Sequence, residues 1–374
     1  MNFSWTLEQA RARGNKRWNT YRDGILDLTV AEMDLPTPPP VLAAVRDSVD
    51  RQSFGYPVAD EDSGIPEVVS DYLLAEHGLA VTPGDVRLLP ELMRGISQAI
   101  VHLTPAGTPV VVPTPTYGRF FDAIAVAGRA AVEVPMQACD DGYRLDLDRI
   151  DAELAAGARC VLLCHPGNPT GRVFGAAELA ALAEIAVRWG ARVISDEIHA
   201  PIRYDGVEFR SYASVSESAR ETGITLFSAT KAWNFPGLRC GLVAFTNEAD
   251  RKIWSGLPRA AVGGMSPLGM RATVAALTAG GPWLTSTLGF LDRNRQTLAR
   301  ELPREIYRPS EATYLAWVDL RGVTQDPVRR LAELGVAVSD GADHGRGGAG
   351  FVRLNFATQP GVLAEALHRM AQVW

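Results

Sequence analysis

The stretch that decides the fold covers residues 225–241 and reads TLFSATKAWNFPGLRCG. The short apolar run at 224–227 leads into Ser-Ala-Thr-Lys, so Lys231 comes just after a predicted buried strand. Burial lowers the pKa of a lysine and makes its amine a nucleophile toward carbonyl groups. Ser228 and Arg239, on either side of the lysine, are residue types that suit a phosphate group. Taken alone, the stretch is equally compatible with a solvated surface lysine beside a turn.

Outward from this stretch, residues 86–245 alternate between short apolar runs and longer segments of helical character. The apolar runs are VRLLP, PVVVP, AVEVP, RCVLLC, RVIS, ITLFS and GLVAF. Because these runs are continuously apolar, they are typical of parallel strands buried on both faces of a sheet. The intervening segments predict helices at 93–103, 119–127, 147–156 and 176–189. The pattern predicts an α/β fold in which a ligand binds beyond the carboxyl ends of the strands.

Length, charge and cysteine content restrict the class of protein. A chain of 374 residues exceeds the size at which single cores stop growing, so two domains are expected. The net charge of −6 predicts no nucleic-acid partner and no anionic membrane surface. Residues 1–18 contain no apolar signal segment, and no run of about 18 apolar residues predicts a membrane span. Four cysteines without zinc-ligand spacing predict no metal site and a reduced, cytoplasmic location.

The two ends of the chain differ from the central region. Residues 1–40 form an aromatic-rich arm, in which prolines are expected to forbid a helix before Val41, and helices are predicted at 41–50 and 65–77. Long helices are predicted within 250–300. A second small α/β unit follows, with the strand YLAWVDL, a helix at 327–334, a strand at 336–338, the strand FVRLNFA and a terminal helix. The glycine-rich GADHGRGGAG lacks the Lys-Ser/Thr of a phosphate-binding P-loop.

Polar residues follow the carboxyl ends of several predicted strands. Tyr117 follows PVVVP, Asn168 follows CVLLC, Asp196 follows RVIS, and Ser228 and Lys231 follow ITLFS. Convergence of independent segments at one edge of one sheet is harder to reach by chance than any single motif. These residue types match what pyridoxal phosphate (PLP) requires, which is a Schiff-base lysine, an acid for the pyridine nitrogen, a phosphate site and a ring clamp.

Each candidate also has an ordinary structural interpretation. Asp196 suits the pyridine nitrogen, or it caps the next helix. Asn168 suits the ring's phenolic oxygen, or it is a turn asparagine before proline. Tyr117 stacks on the ring or simply packs. His199 approaches the ring oxygen, serves in proton transfer, or is structural.

The phosphate site is predicted to combine backbone N–H groups near Leu92 and Met93 with Ser228 and Arg239. Arg239 lies among apolar neighbours and is expected to be buried against the phosphate. Arg353, in FVRLNFA, is predicted to hold a substrate carboxylate, and its alternative role is a structural salt bridge.

With these residues placed, the chain resembles fold-type I PLP enzymes of the class I/II aminotransferase superfamily. Within it, the chain is most similar to the MalY/PatB group of cystathionine β-lyase-like C–S lyases. The resemblance spans essentially the whole chain. It is carried by VAEMDLPTPPPV, FGYP, PTPTYGRFF, CHPGNPTGRVF, SDEIHAPI, FSATKAWNFPGLRCG, GPWL, TYLAWVDLRG and GFVRLNFA.

The resemblance implies a large domain with a seven-stranded, mostly parallel sheet and a smaller α/β domain built from both chain ends. Its boundaries are an arm and part of the small domain at 1–50, the PLP-binding domain at 51–285 and the small C-terminal domain at 286–374. It supports the roles given above, with Lys231, Tyr117 and Asp196 as catalytic residues. It implies that Asp34 and Tyr117 join Arg353 at the substrate. It also implies a homodimer in which Tyr56 reaches the partner's cofactor phosphate.

Three positions depart from the pattern of this group, namely Arg94, Trp233 and His344. These changes leave the predicted cofactor site intact, but they leave the identity of the substrate undetermined. The expected reaction is β-elimination from a cysteine S-conjugate such as cystathionine, with Lys231 as the base, releasing thiol, pyruvate and ammonia. Transamination or decarboxylation of an amino acid, possible in a specialised biosynthetic pathway, is the alternative. A regulatory, partner-binding PLP protein is a further hypothesis, which the intact Lys231 and Arg353 oppose.

Overall fold

The architecture was derived from a computed structural model that describes residues 5–140 and 142–374. The first four residues of the predicted arm lie outside the described residues. Across the described chain, no helix combines the length and apolar character needed to cross a bilayer.

Seven strands form the central sheet. They are β1 (Val86–Leu89), β2 (Val110–Thr114), β3 (Ala131–Pro135), β4 (Cys160–Cys164), β5 (Arg192–Asp196), β6 (Gly223–Phe227) and β7 (Gly241–Phe245). Their order is β1-β7-β6-β5-β4-β2-β3. β7 runs antiparallel to both neighbours, whereas the other neighbouring pairs are parallel. The predicted seven-stranded, mostly parallel sheet is therefore confirmed.

The direction of β7 corrects the expectation drawn from its continuously apolar sequence, which is typical of a parallel strand. The connection from β6 to β7 is a loop with a 3₁₀ turn at Pro236–Leu238. Parallel neighbours usually require a helical crossover, so a chain that returns through this loop reverses direction. β7 is nevertheless buried at every position, which explains why its composition resembles that of its parallel neighbours.

Four helices between the strands confirm the predicted ranges to within one residue at either end. They are Leu92–Leu103, Arg119–Val126, Leu147–Ala155 and Ala176–Arg188. The remaining described helices are Leu7–Ala12, Pro39–Asp50, Ile65–His77, Glu217–Thr222, Glu248–Ser255, Arg259–Val262, Pro267–Ala279, Gly281–Glu301, Pro327–Glu333 and Pro360–Met370.

One helix begins earlier than expected. The prolines were predicted to forbid a helix before Val41, but the helix Pro39–Asp50 already includes Pro39 and Pro40. The N–H groups of a first turn have no intrahelical acceptor, so prolines are tolerated there.

The sheet is covered on both faces by apolar clusters. On one face, Ile96 and Ile100 of the helix Leu92–Leu103 join Ile194 and Leu226 of the sheet. On the other face, Leu182 of the helix Ala176–Arg188 joins a cluster that includes strand residues. Burial on both faces is the reason these strands carry apolar residues continuously.

The two chain ends pack together. Leu26–Asp27 pairs in parallel with Val336–Ala337, and Leu315–Asp319, Phe351–Asn355 and Ser339–Asp340 form a three-stranded sheet. A short hairpin pairs Gln137–Cys139 with Gly142–Arg144. One apolar cluster unites the arm with the C-terminal segments, for example Met33 with Leu291 and Phe356. The domain boundaries remain predictions, and the one at 285/286 falls within the helix Gly281–Glu301.

Candidate active site

A cavity of about 690 Å³ opens at the carboxyl ends of β4, β5 and β6. It is lined by residues from the sheet, the arm and the C-terminal strand. Ten predicted site residues line it, namely Leu92, Met93, Tyr117, Asn168, Asp196, His199, Ser228, Lys231, Arg239 and Arg353. Residues scattered over most of the sequence therefore share one site.

Lys231 lies in the loop that follows β6. Its Nζ donates a hydrogen bond to the carbonyl oxygen of Ala31 at 2.9 Å. Burial lowers the pKa of Lys231 to about 8, while the carboxylate of Glu32 acts in the opposite direction. An amine that is partly neutral near physiological pH can act as a nucleophile and as a base. The structure therefore does not support the surface-lysine interpretation.

Asp196 ends β5 and is only 5% exposed. The N–H of Ile198 donates to its carboxylate at 3.1 Å. Burial raises the pKa of Asp196 to about 6, and the positive charge of Lys231 opposes this shift. A buried carboxylate facing a cavity is costly unless a cationic group or a donor meets it there. The protonated nitrogen of a pyridine ring is such a group.

Arg353 and Asn168 are held together at one wall. The Nη1 of Arg353 donates to Asn168 Oδ1 at 3.1 Å, and its Nη2 donates to Thr29 O at 2.8 Å and Ser339 Oγ at 3.1 Å. The guanidinium is buried, and its Nε has no hydrogen-bond partner among the described residues. The structure shows no carboxylate ion pair for Arg353 within the described ranges, so a structural salt bridge is not its role here. A buried arginine of this kind suits an anionic ligand.

The predicted phosphate site lies at the start of the helix Leu92–Leu103. Its N-cap residue, Glu91, makes no side-chain cap hydrogen bond, and Leu92 and Met93 line the cavity. Uncapped N–H groups and the helix dipole favour a dianion at this point. Ser228 is buried beside it, where its Oγ donates to Cys240 O at 2.7 Å.

Arg239 departs from the expectation. It was expected to be buried, but its side chain is 68% exposed and lies 3.9 Å from the carboxylate of Glu91. It follows the turn Pro236–Leu238, has a positive φ of 51° and lies two residues before β7 begins at Gly241. Apolar neighbours in sequence therefore did not predict burial, because this residue belongs to a turn.

His199 and Tyr117 also line the cavity. His199 is buried, its Nδ1 has no partner among the described residues, and burial lowers its pKa to about 3. A neutral imidazole with a free ring nitrogen can still accept or donate a hydrogen bond. Tyr117 is half-buried and packs edge-on against Phe120, with ring centroids 5.8 Å apart.

The structure does not bring Asp34 and Tyr56 to this cavity. Asp34 is buried beneath the arm, where it pairs with Arg17 at 3.2 Å and accepts hydrogen bonds from Trp18 Nε1 and Thr358 Oγ1. A buried carboxylate requires such partners, and here they hold it away from the predicted substrate contact. Tyr56 is fully exposed on the outer surface.

The three departures from the pattern also lie outside the cavity lining. Arg94 donates to the carbonyl oxygens of Ala260 and Ala261. Trp233 is buried in the core with its Nε1 3.0 Å from Gly280 O. The Nδ1 of His344 lies 2.7 Å from Thr116 O.

Sequence reasoning missed several charged or polar lining residues, among them Lys16, Glu32, Ser339 and Asp343. It also missed the backbone of the arm. The carbonyl oxygen of Thr29 accepts a hydrogen bond from Arg353, and that of Ala31 accepts one from Lys231. The acidic pair in AEMD was a visible signal. It did not indicate which of the two acids, Glu32 or Asp34, faces the cavity.

Comparison with known proteins agrees with this geometry. The family described as Aminotransferase class I and II matches residues 23–370. The cystathionine beta-lyase of Corynebacterium glutamicum is 36% identical over 373 residues, covering 98% of each chain. The cystathionine beta-lyase PatB of Bacillus subtilis is 28% identical and covers 92% of this chain and 91% of its own.

Among solved structures, the PLP-bound C-S lyase of Staphylococcus hominis superposes with a TM-score of 0.92 at 25% identity. The superposition covers 100% of this chain and 98% of that one. The buried acid Asp196, the lowered pKa of Lys231 and the uncapped start of the helix Leu92–Leu103 are compatible with a PLP site. Over nearly its whole length, the chain therefore belongs to the aminotransferase class I and II family of PLP-dependent enzymes.

Proposed function

We propose that the protein is a PLP-dependent carbon–sulfur β-lyase that acts on a cysteine S-conjugate of the cystathionine type. It would release a thiol, pyruvate and ammonia. The observation that carries the proposal is that Lys231 and Arg353 share one cavity, bridged by carbonyls of the same arm. The likeness to a cystathionine beta-lyase over 98% of both chains favours the lyase among the family's activities.

The residues of the cavity fit the cofactor. Asp196 would meet the pyridine nitrogen, Asn168 the ring oxygen, and the helix start at Leu92 with Ser228 the phosphate, while Tyr117 would cover the ring. When bound, PLP supplies a conjugated ring that accepts the electron pair released at the substrate's α-carbon.

The protein's own groups would then do two things. Arg353, held by Asn168, Thr29 and Ser339, orients the α-carboxylate. Lys231, whose pKa burial lowers to about 8, takes the proton from the α-carbon. The bond from the β-carbon to sulfur breaks, and its electron pair leaves with the thiolate. One water hydrolyses the three-carbon remainder to pyruvate and ammonia.

Transamination is the second candidate, because the matching family is described by that activity. It would use the same arginine and lysine but leave the bond to sulfur intact. The amino group would pass to an acceptor keto acid. The two reactions therefore differ in one requirement, which is the acceptor.

The test uses the purified holoenzyme with cystathionine and no keto acid. We expect pyruvate and a free thiol, each measured colorimetrically, because β-elimination needs no acceptor. Lys231→Ala should abolish the products and the visible absorbance band of the wild-type protein. The matched control is Lys252→Ala, which removes an exposed lysine paired with Glu248. Turnover that requires added 2-oxoglutarate would instead establish transamination.

The proposed enzyme is a homodimer that works in the cytoplasm. One surface segment exposes the large apolar side chains of Phe54, Tyr56 and Val58. Their exposure favours a second subunit that covers this part of the surface. Within the described residues no disulfide joins the cysteines, as expected in a reducing compartment.

A further inference from the structure

The glycine-rich loop at 341–350 has no role in the reaction described above, yet it packs directly against the segment that carries Tyr117. A methyl group added at Gly118 would overlap the carbonyl oxygen of Asp343. Two stretches of backbone this close leave no room for a side chain between them. Asp343 itself lines the cavity. The position of this loop and the position of Tyr117 are therefore linked.

One residue of the loop, His344, holds both backbone groups of Thr116. The N–H of Thr116 donates to the carbonyl oxygen of His344 at 2.9 Å, and His344 Nδ1 lies 2.7 Å from the carbonyl oxygen of Thr116. A carbonyl oxygen only accepts, so Nδ1 carries the proton and donates it. Burial lowers the pKa of His344 to about 4, and the charge of Arg353 adds to this shift, so the imidazole is neutral. Thr116 directly precedes Tyr117, whose backbone is thereby fixed.

The same imidazole packs against the strand that pairs with the strand of Arg353. It meets the ring of Trp317 edge-on, with ring centroids 5.4 Å apart and an angle of 75° between the rings. Trp317 lies directly opposite Arg353 in the antiparallel three-stranded sheet. Residues opposite one another in such a pair project from the same face of the sheet. His344 therefore connects the support of Arg353 with the support of Tyr117.

The side chain of Tyr117 has few specific contacts of its own. Its ring packs edge-on against Phe120, and in the part of the chain that the structure describes no hydrogen bond reaches its hydroxyl group. The side chain lines the cavity and is only half-buried. Its direction therefore depends on its backbone, which is set by the two hydrogen bonds between Thr116 and His344.

We propose that His344 is a positioning residue that fixes Tyr117 over the PLP ring at a set distance from Arg353. Its imidazole does not line the cavity, and it acts through the hydrogen bond from Nδ1 to the carbonyl oxygen of Thr116. Loss of that bond frees Tyr117 to swing away from the ring, which loosens the hold on PLP. The inference rests on the proposed function, because that proposal places Tyr117 over the ring and the substrate carboxylate at Arg353.

The test compares two substitutions that each remove one property of His344. His344→Phe keeps a ring against Trp317 but has no donor for Thr116. His344→Asn loses the ring but keeps a donor, because its amide nitrogen is as far along the side chain as Nδ1. The measured quantity is the rate at which the diluted holoenzyme loses PLP, followed by its visible absorbance band without any substrate.

Loss of one neutral hydrogen bond should make His344→Phe lose PLP about three- to tenfold faster than the wild-type protein. His344→Leu, which is smaller and also lacks the donor, should behave in the same way. His344→Asn should remain within about twofold of the wild-type rate. The control is His368→Phe, which replaces an exposed histidine on the helix Pro360–Met370, outside the cavity. It should leave the rate unchanged.

A double-mutant cycle separates positioning from a general disturbance of the fold. Tyr117→Ala should itself speed up the loss of PLP, and adding His344→Phe to it should change the rate by less than about twofold. If His344 only stabilises the fold, His344→Phe accelerates the loss by the same factor with and without Tyr117.

That equal factor would overturn the inference. So would a wild-type rate in His344→Phe and His344→Leu, a rate in His344→Asn as fast as in His344→Phe, or a wild-type rate in Tyr117→Ala. Because no substrate is present, a failure of lyase turnover would refute the proposed function and leave the outcome of this test unaffected.

Discussion

Glu197 stands beside Asp196 and is completely buried. Its Oε1 accepts hydrogen bonds from Ser195 Oγ, Ser211 Oγ and the N–H of Tyr212, at 2.9, 3.0 and 3.0 Å. Its Oε2 has no partner among the described residues. Burial raises the pKa of Glu197 to about 8, and the charge of Asp196 adds to this shift. The side chain thus ties the end of β5 to the loop beyond it.

This pKa predicts how stability depends on pH. Between the ordinary value of 4.5 and about 8, the folded protein retains a proton that the unfolded chain has lost. The contribution of Glu197 is therefore fully present below 4.5 and is lost as the pH rises through about 8. Relative to Glu197→Gln, the wild-type protein should lose free energy of unfolding from about pH 5 to about pH 9.

Urea unfolding of both proteins at several pH values measures this difference. Glutamine keeps an acceptor in place of Oε1 and cannot ionise, so any constant packing cost cancels in the trend. If the two stability profiles run parallel, Glu197 does not change its charge in this range.

At the scale of elements, Gly95 allows the helix Leu92–Leu103 to pack closely against the sheet. A methyl group added at Gly95 would lie 2.4 Å from Leu89 Cδ1 of β1 and 2.7 Å from Leu226 Cδ2 of β6. Only glycine lets the helix lie this close to the sheet. Its N-terminus is thereby brought to the cavity, where the predicted phosphate site begins.

Gly95→Ala is therefore expected to destabilise the protein by about 1–3 kcal/mol, despite the better helix propensity of alanine. It should also weaken PLP affinity, since a displaced helix moves the N–H groups at Leu92 and Met93. The control is Gly289→Ala on the helix Gly281–Glu301, where the added methyl group would lie 3.8 Å from Nη1 of the Arg293 side chain. That change should stabilise the protein by about 0.5–1 kcal/mol. Thermal unfolding of both variants checks the opposite signs, and equal shifts would contradict this account of the packing.

Most elements could be predicted from the sequence because their periodicity depends on local burial. The helix at 65–77 was predicted with both ends correct, since Gly64 and Gly78 adopt the left-handed conformation at its two caps. The direction of β7 could not be predicted, because it depends on the path of a loop. Because β7 is buried at every position, its apolar sequence does not show that it pairs antiparallel with β1.

At the scale of the whole molecule, Tyr56 is the residue whose proposed role needs a second subunit. It is fully exposed and lies outside the cavity of its own chain. If it serves the partner's site, then Tyr56→Ala and Lys231→Ala impair different halves of each shared site. A mixed dimer would contain one site with both defects and one intact site.

Mixing the two inactive variants after dissociation should therefore restore activity. Half of the randomly formed dimers are mixed and each has one intact site of two, so recovery should reach about a quarter of the wild-type rate. Light scattering on the same sample gives the oligomeric mass. No recovery from a mixture that is dimeric by mass would show that each chain builds its site alone.

The sequence alone was sufficient to predict the sheet and the cavity residues that follow its strands. Continuous apolar runs specify buried parallel strands, and the carboxyl ends of such strands meet at one edge. Lys231, Asp196, Asn168 and Tyr117 follow from that rule, because each lies close to its strand in sequence.

Tertiary structure decided the rest. The arm reaches the cavity through contacts separated by about two hundred to three hundred residues, as in the bonds from Lys231 to Ala31 and from Arg353 to Thr29. Local sequence could not show that Glu32 faces the cavity while Asp34 is neutralised by Arg17, or that Arg239 lies exposed in a turn. Such orientations depend on which distant groups pack against a side chain, and that is settled only when the whole chain has folded.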